Sequence, residues 1–360
     1  MSDTTQTITA QTALIQANAA RSSWRIRVIL AFLAIYVIWG STYLAIRYAV
    51  ETIPPLFTAG FRHLVAGSVL LAWAMAKGQR PTWPQVRASV VIGFFFFLLG
   101  HGSLHWAEQY VPSGLASLLI AIEPIIVFLM SSAASRVWRM NGMLLAGILL
   151  GLIGVGILVR GTGLEAGSRG SLGPIAVLIG AIAWSAGIIY SRRSKLSGSP
   201  LLLSALSLLA GSAMLLITGT LAGEAKDLSI AHITTKSWLA FAYLIVFGSI
   251  IAFTAYNWLL EHYSPTLVAT HTYVNPVVAV FLGWLYGGEA ITLKVGIAAA
   301  LVVGAVVLVD RGTNQTSPRP MTPSASRTNS ATFPCPPAKP VVNSPRQHHH
   351  ARAKIRPLLN

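Results

Sequence analysis

The stretch Glu108-Gln109-Tyr110-Val111-Pro112, with Glu123-Pro124 inside the apolar run behind it, has a second, degenerate copy later in the chain. Glu261-His262-Tyr263-Ser264-Pro265 lies 153 residues on, and Asn275-Pro276 lies 152 residues after Glu123-Pro124. Two further matches keep the same order. Ala66-Gly67-Ser68 pairs with Ala210-Gly211-Ser212 at an offset of 144, and Trp39 and Arg47 pair with Trp184 and Arg192 at 145. One such coincidence means little; four in order at nearly constant offset mark an internal repeat.

Each copy consists of apolar runs. A membrane span needs about 20 mostly apolar residues, and ten segments qualify: 28–48, 55–76, 88–107, 113–134, 141–159, 171–191, 200–221, 237–259, 265–286 and 291–309. Punctuation separates them, as at Pro54-Pro55, Pro112-Ser113-Gly114 and Ser197-Gly198-Ser199-Pro200. The loops are too short for a soluble catalytic domain, and the runs do not alternate as barrel strands do. The expected fold class is an all-α polytopic membrane protein of ten transmembrane helices, arranged as two inverted five-helix repeats. An odd number of spans per copy makes the second copy enter the membrane from the opposite face, the arrangement by which secondary transporters expose one site to each side in turn. Duplication without transport is the plainer alternative.

Composition agrees. Of 360 residues, 54% are hydrophobic and 10% charged, against about 25% charged in soluble domains. The mean hydropathy is +0.64. An ordinary cytosolic enzyme is excluded. The net charge of +16 suggests nucleic acid at first. Residues 311–360, however, hold eight basic residues and no acid, and the remaining basic groups fall mostly between apolar runs. No nucleic-acid face forms. With the N-terminus inside, inner loops carry 11 Lys and Arg and outer ends carry 6, so both termini are expected to be cytoplasmic. The expected organisation is a disordered cytoplasmic 1–27, a first repeat over 28–160, a second over 171–310, and a disordered basic, Pro/Ser-rich cytoplasmic tail over 311–360. The single cysteine, Cys335, excludes internal disulfides and cysteine metal sites.

Ionisable groups inside spans are functional candidates by default. Glu123 and Pro124 lie in span four, Asn275 and Pro276 in span nine. Proline kinks a membrane helix and frees carbonyls that must be satisfied again or face a cavity, so Pro124 and Pro276 are expected as helix kinks at the repeat interface. Glu123 would bind substrate or carry a coupling proton; the alternative is a carboxyl kept neutral by a neighbour. Arg62, beside His63, has no basic counterpart in span seven and needs a carboxylate, water or a ligand anion; Glu123 is one candidate partner. His101, His105 and Glu108 share a face of span three. They can line a polar vestibule or carry protons, and a satisfied polar stripe is the blander reading. Glu108 and Glu261, at helix ends, are read as topological. Trp39, Ser41, Thr42, Tyr43, Trp184 and Tyr190 can line a pocket or anchor at the interface. Gly147, Gly151, Gly154, Gly156, Gly296 and Gly304 permit close helix contact or a homodimer face. No glycine loop with lysine, nucleophile elbow or zincin pattern is present, and neither a cofactor nor a metal site is expected.

Ile38-Trp39-Gly40-Ser41-Thr42-Tyr43-Leu44-Ala45-Ile46-Arg47 resembles the opening signature of the EamA-type drug/metabolite transporter superfamily. Pro55 with Gly60-Phe61-Arg62-His63-Leu64-Val65-Ala66-Gly67, Pro112-Ser113-Gly114-Leu115-Ala116-Ser117 through Glu123-Pro124, and Tyr273-Val274-Asn275-Pro276-Val277-Val278-Ala279 with Gly287-Gly288-Glu289 resemble its later segments. The resemblance covers about residues 28–310 and is nearest to the YedA-like bacterial inner-membrane branch. It implies two five-helix repeats, a central cavity and export of small metabolites or drugs, an amino-acid-like solute among them; it implies no shared catalytic residue. The resulting expectation is a proton-coupled exporter working by alternating access in a bacterial inner membrane, with Glu123, Arg62, Asn275, Tyr273, Trp39, His101 and His105 at the site. A membrane-embedded metal enzyme using His101 and His105, and a passive facilitator or channel, are the alternatives.

Overall fold

The computed structural model describes residues 24–136, 138, 140–161, 169–194, 199–263, 268 and 270–316. Nearly all of the 1–27 segment and of the 311–360 tail lies outside them. Ten long helices and no strand occur among the described residues. They are α1 (Trp24–Ala49), α2 (Pro55–Ala76), α3 (Trp83–Ala107), α4 (Ser113–Ser135), α5 (Gly142–Gly161), α6 (Arg169–Ser194), α7 (Pro200–Leu221), α8 (Thr235–Leu259), α9 (His271–Leu285) and α10 (Leu293–Thr316). Eight are long and apolar enough to cross a membrane; α9 is shorter, and α5 counts as a shorter apolar helix over Gly142–Leu158.

The helix starts follow from local chemistry. Proline, with φ already helical and no N–H to leave unpaired, opens α2 at Pro55 and α7 at Pro200. At α3 the Thr82 N–H donates to Gln85 Oε1 at 2.9 Å, half of a capping box. Asn141 Oδ1 accepts from Leu144 N at 2.8 Å to cap α5. The stops repeat between the halves. Gly78 after α2 and Gly223 after α7 both take positive φ (78° and 89°), and so do Arg136 after α4 (56°) and Gly288 after α9 (64°). The offsets are 223 − 78 = 145 and 288 − 136 = 152, those of the sequence repeat.

Two kinds of irregularity interrupt the helices. α4 breaks at Ala121–Ile122, so that Glu123 begins its second half and Pro124 sits in the first turn of that half. Pro124 therefore starts a helix, where a mid-helix kink was expected; Pro276 lies inside an unbroken α9. Wider π-helical turns occupy Phe94–His101 of α3 and Leu244–Ile251 of α8, which are equivalent helices, and Ala34–Ile38 of α1. Such turns release carbonyls from the regular ladder and gather at functional positions.

Packing obeys the same pseudo-symmetry. α2 lies against its counterpart α7, and α5 against α10. The α3–α6 contact has its mate in α8–α1, α4–α6 in α9–α1, and α2–α8 in α7–α3, while α4 meets α9 through its first half, Ser113–Ile120. Two inverted five-helix repeats make up the fold. Close approach is set by glycine: a Cβ at Gly154 would stand 2.8 Å from Val302 Cγ2, and one at Gly147 would stand 2.9 Å from the Ala305 carbonyl oxygen. The α5 stripe thus joins α5 to α10 within one chain, whereas Gly156 and Gly296 meet nothing. The outer surface is apolar, with Leu149, Leu152 and Ile153 more than half exposed, as a lipid-facing helix requires.

Candidate functional site

One end of the bundle is tied by a knot of motif residues. The Glu289 carboxylate pairs with Arg47 of α1. It also accepts from the first amides of α4: Ser113 N and Ser113 Oγ at 2.7 Å and Gly114 N at 2.9 Å. A carboxylate at a helix N-terminus satisfies orphan donors and complements the dipole. Gly283 leaves room for it, since a Cβ there would lie 2.5 Å from Glu289 Oε2. At the same end Lys236 pairs with Glu51, Ser237 Oγ donates to the Tyr48 carbonyl at 2.7 Å, and Glu224 accepts from Leu56 N and Phe57 N at 3.0–3.2 Å. Glu224, outside the spans, has a carboxyl held above the usual range by its partial burial, against the pull of those two amides. An apolar cleft of about 300 Å3 between α1 and α8, lined by Leu44, Tyr48, Leu239 and Tyr243, also opens here.

Deeper in, α2, α3 and α8 bring together an ionisable cluster. Arg62, His63 and His105 are 3%, 0% and 0% exposed. Arg62 Nε donates to Ser249 Oγ at 3.1 Å, and its Nη1 lies 3.5 Å from His105 Nε2. His105 Nδ1 lies 2.7 Å from the His101 carbonyl oxygen, which can only accept, so Nδ1 carries the hydrogen. His63 Nε2 and His101 Nδ1 share a hydrogen bond of 2.8 Å. The His101 ring stacks on Trp184 (5.2 Å, 16°), which in turn stacks on Phe96 (4.3 Å, 19°). Arg62 does not pair with Glu123, as the sequence had suggested it could; its bonded partners are the serine and the histidine.

Glu108, read from the sequence as a topological helix end, is 2% exposed, and neither carboxylate oxygen has a hydrogen-bond partner. Tyr43 lies within electrostatic reach of both Glu108 and Glu123, and Tyr256 within reach of Glu123. Glu123 therefore stands at the α4 break within electrostatic range of phenols of α1 and α8, with no hydrogen bond or ion pair to Arg62.

The remaining expected residues separate. Trp39 donates from Nε1 to the Gly248 carbonyl in the π-helical turn of α8 at 3.1 Å and packs on Phe253, Tyr256 and His271. The Asn275 amide nitrogen, oriented by surrounding acceptors, lies 3.0–3.2 Å from the carbonyl oxygens of Ile35, Tyr36 and His271 and shares its two hydrogens among them. Tyr273 lies within electrostatic range of Asp310 of α10 and has no hydrogen bond to Arg62 or its histidines. Among the described residues no three His, Cys, Asp or Glu side chains are placed to hold one metal ion.

Sequence reasoning passed over Ser249, Tyr256 and the burial of Glu108. A serine or tyrosine in an apolar run carries no mark, and the burial of Glu108 depends on helices far away in sequence.

The chain matches the model of the EamA-like transporter family twice, over residues 26–160 and 171–310. It is 39% identical over 287 residues to "Uncharacterized inner membrane transporter YedA" of Escherichia coli (strain K12), covering 78% of this chain and 90% of that protein. It is 26% identical to "Uncharacterized transporter YvbV" of Bacillus subtilis (strain 168), covering 79% and 92%. A solved structure titled "Crystal structure of protein" shares the fold at a TM-score of 0.57 and 22% identity, covering 81% of this chain and 99% of that one. With two matching halves on an inverted-repeat membrane fold, the chain belongs to the EamA-like transporter family.

Proposed function

We propose that this chain is a secondary transporter of a bacterial inner membrane that exports small metabolites or drugs by alternating access, driven by protons. The observation that carries the reading is Glu123: a carboxylate at a helix break, at the contact of the two repeats, within electrostatic range of Tyr43 and Tyr256 and with no ion pair among the described residues. A carboxylate so placed is stable when protonated and costly when charged. Its proton is therefore the natural currency between the two faces. The break before Glu123 and the π-helical turns of α3 and α8 supply places where α4 and the third helix of each repeat can bend as the repeats exchange conformations. One proton crossing 100 mV contributes about 2.3 kcal/mol, enough for modest accumulation. Trp39 and Trp184 would wall the pathway.

Flux from proteoliposomes under an imposed pH gradient tests this. The wild-type protein should accumulate solute against its gradient, and Glu123→Gln should keep exchange while losing acceleration by the pH gradient. Equilibration without accumulation would point to a facilitator. A Glu123→Gln variant with unchanged proton dependence would remove Glu123 from the coupling role.

A further inference from the structure

Arg62 holds a permanent positive charge at 3% exposure, and both of its bonded partners are neutral. Ser249 takes Nε, and His105, with its hydrogen on Nδ1, offers Nη1 only a lone pair at 3.5 Å. Among the described residues no carboxylate lies within ion-pair distance of the guanidinium; Glu108 acts on it only at longer range. Five donors therefore have two partners, and the charge has no counter-charge beside it, a state that is expensive in a dry interior.

A residue without a side chain also lies beside it. Residue 248 is glycine, and a Cβ there would stand 3.6 Å from Arg62 Nη2 and 2.9 Å from Thr42 Cγ2. The glycine thus leaves the Nη2 edge of the fork free of side chain on the α8 side. Ser249 and His105 meanwhile fix the guanidinium from its other edges.

We propose that Arg62 anchors a carboxylate of the transported solute, received in bidentate fashion at the Nη groups, with Ser249 and His105 holding the guanidinium plane. A planar fork matches a planar carboxylate, and the ligand supplies a counter-charge in contact with the guanidinium. The inference rests on the transporter reading and narrows its substrate class to solutes with a free carboxylate.

Thermal shift of the purified protein in detergent with matched probes tests the site: aliphatic and aromatic monocarboxylates, each beside its neutral amide, such as benzoate and benzamide. Carboxylates should raise the melting temperature where their amides do not. Arg62→Gln should abolish the difference, and Arg62→Lys should weaken binding roughly 10- to 100-fold. Should Arg62 variants fail to fold, Ser249→Ala, which keeps the charge and frees Nε, should still weaken carboxylate binding several-fold. Failure of every carboxylate to differ from its amide in the wild type, or unchanged binding in Arg62→Gln, overturns the proposal. Flux of a mixed solute pool from proteoliposomes separates the two readings. Efflux without preference for carboxylates overturns the anion site and keeps the transporter, whereas carboxylate binding without any flux does the reverse.

Discussion

Glu289 holds together three segments distant in sequence, pairing with Arg47 and capping α4 through Ser113 and Gly114. Its side chain is 10% exposed and that of Arg47 33%, so the pair is neither a free surface contact nor a fully dry one. Removing one partner strands the other, and Glu289→Gln should cost about 3 kcal/mol. A double-mutant cycle in mixed-micelle unfolding should find Arg47→Gln/Glu289→Gln barely worse than Glu289→Gln alone, because both changes break one interaction. Independent, additive losses would show that Glu289 acts through the α4 cap only. At this scale the sequence is a partial guide. Arg62, His101 and His105 stand out because charge at depth is rare, and the structure brings them together. Glu108 does not, because a glutamate beside a turn proline reads as surface; its burial comes from α1, far away in the chain.

At the scale of elements, the irregular turns have named keepers. Asn275 of α9 supplies donors to the Ile35 and Tyr36 carbonyls of α1, the second of which also accepts from the Trp39 amide at the end of the π-helical turn. Asn275→Leu removes hydrogen bonds worth about 0.5–1.5 kcal/mol each; it should lower the melting temperature and speed amide hydrogen exchange over residues 34–42. Exchange unchanged in that segment would remove the keeper role. Glu224 keeps the start of α2. Burial raises its carboxyl above the usual range, so its ionised form is penalised in the folded state. Relative to Glu224→Gln, the wild type should lose stability as pH rises from the ordinary carboxylate value through the raised one, then level off; melting curves between pH 4 and 7 check the sign. Most helix starts are legible in the sequence, since Pro55, Pro112 and Pro200 all stand at helix N-termini. The break in α4 and the π-helical turns are not, because Phe94–His101 and Leu244–Ile251 are as apolar as the regular helices around them.

The whole molecule is two copies of one five-helix design, and its asymmetry is as informative as its symmetry. Positions equivalent to Arg62 and His63 fall on Leu206 and Ser207 (an offset of 144), so the ionisable cluster belongs to the first repeat alone. Loop charge predicts which way the pair is inserted. In a Cys335→Ser background, Gln109→Cys should react with a membrane-impermeant maleimide on intact spheroplasts, and Arg80→Cys should react only after lysis. The opposite pattern would reverse the assigned orientation and turn the proposed exporter geometry around.

The Glu289 knot also bears on biosynthesis. The amides of Ser113 and Gly114 wait for a carboxylate 176 residues downstream, roughly 9 to 35 s of ribosome time at ordinary elongation rates. Until then the nascent first half carries an unsealed helix start and an arginine lacking its acid. A chain arrested before residue 289 thus lacks both the α4 cap and the acid of the Arg47 pair.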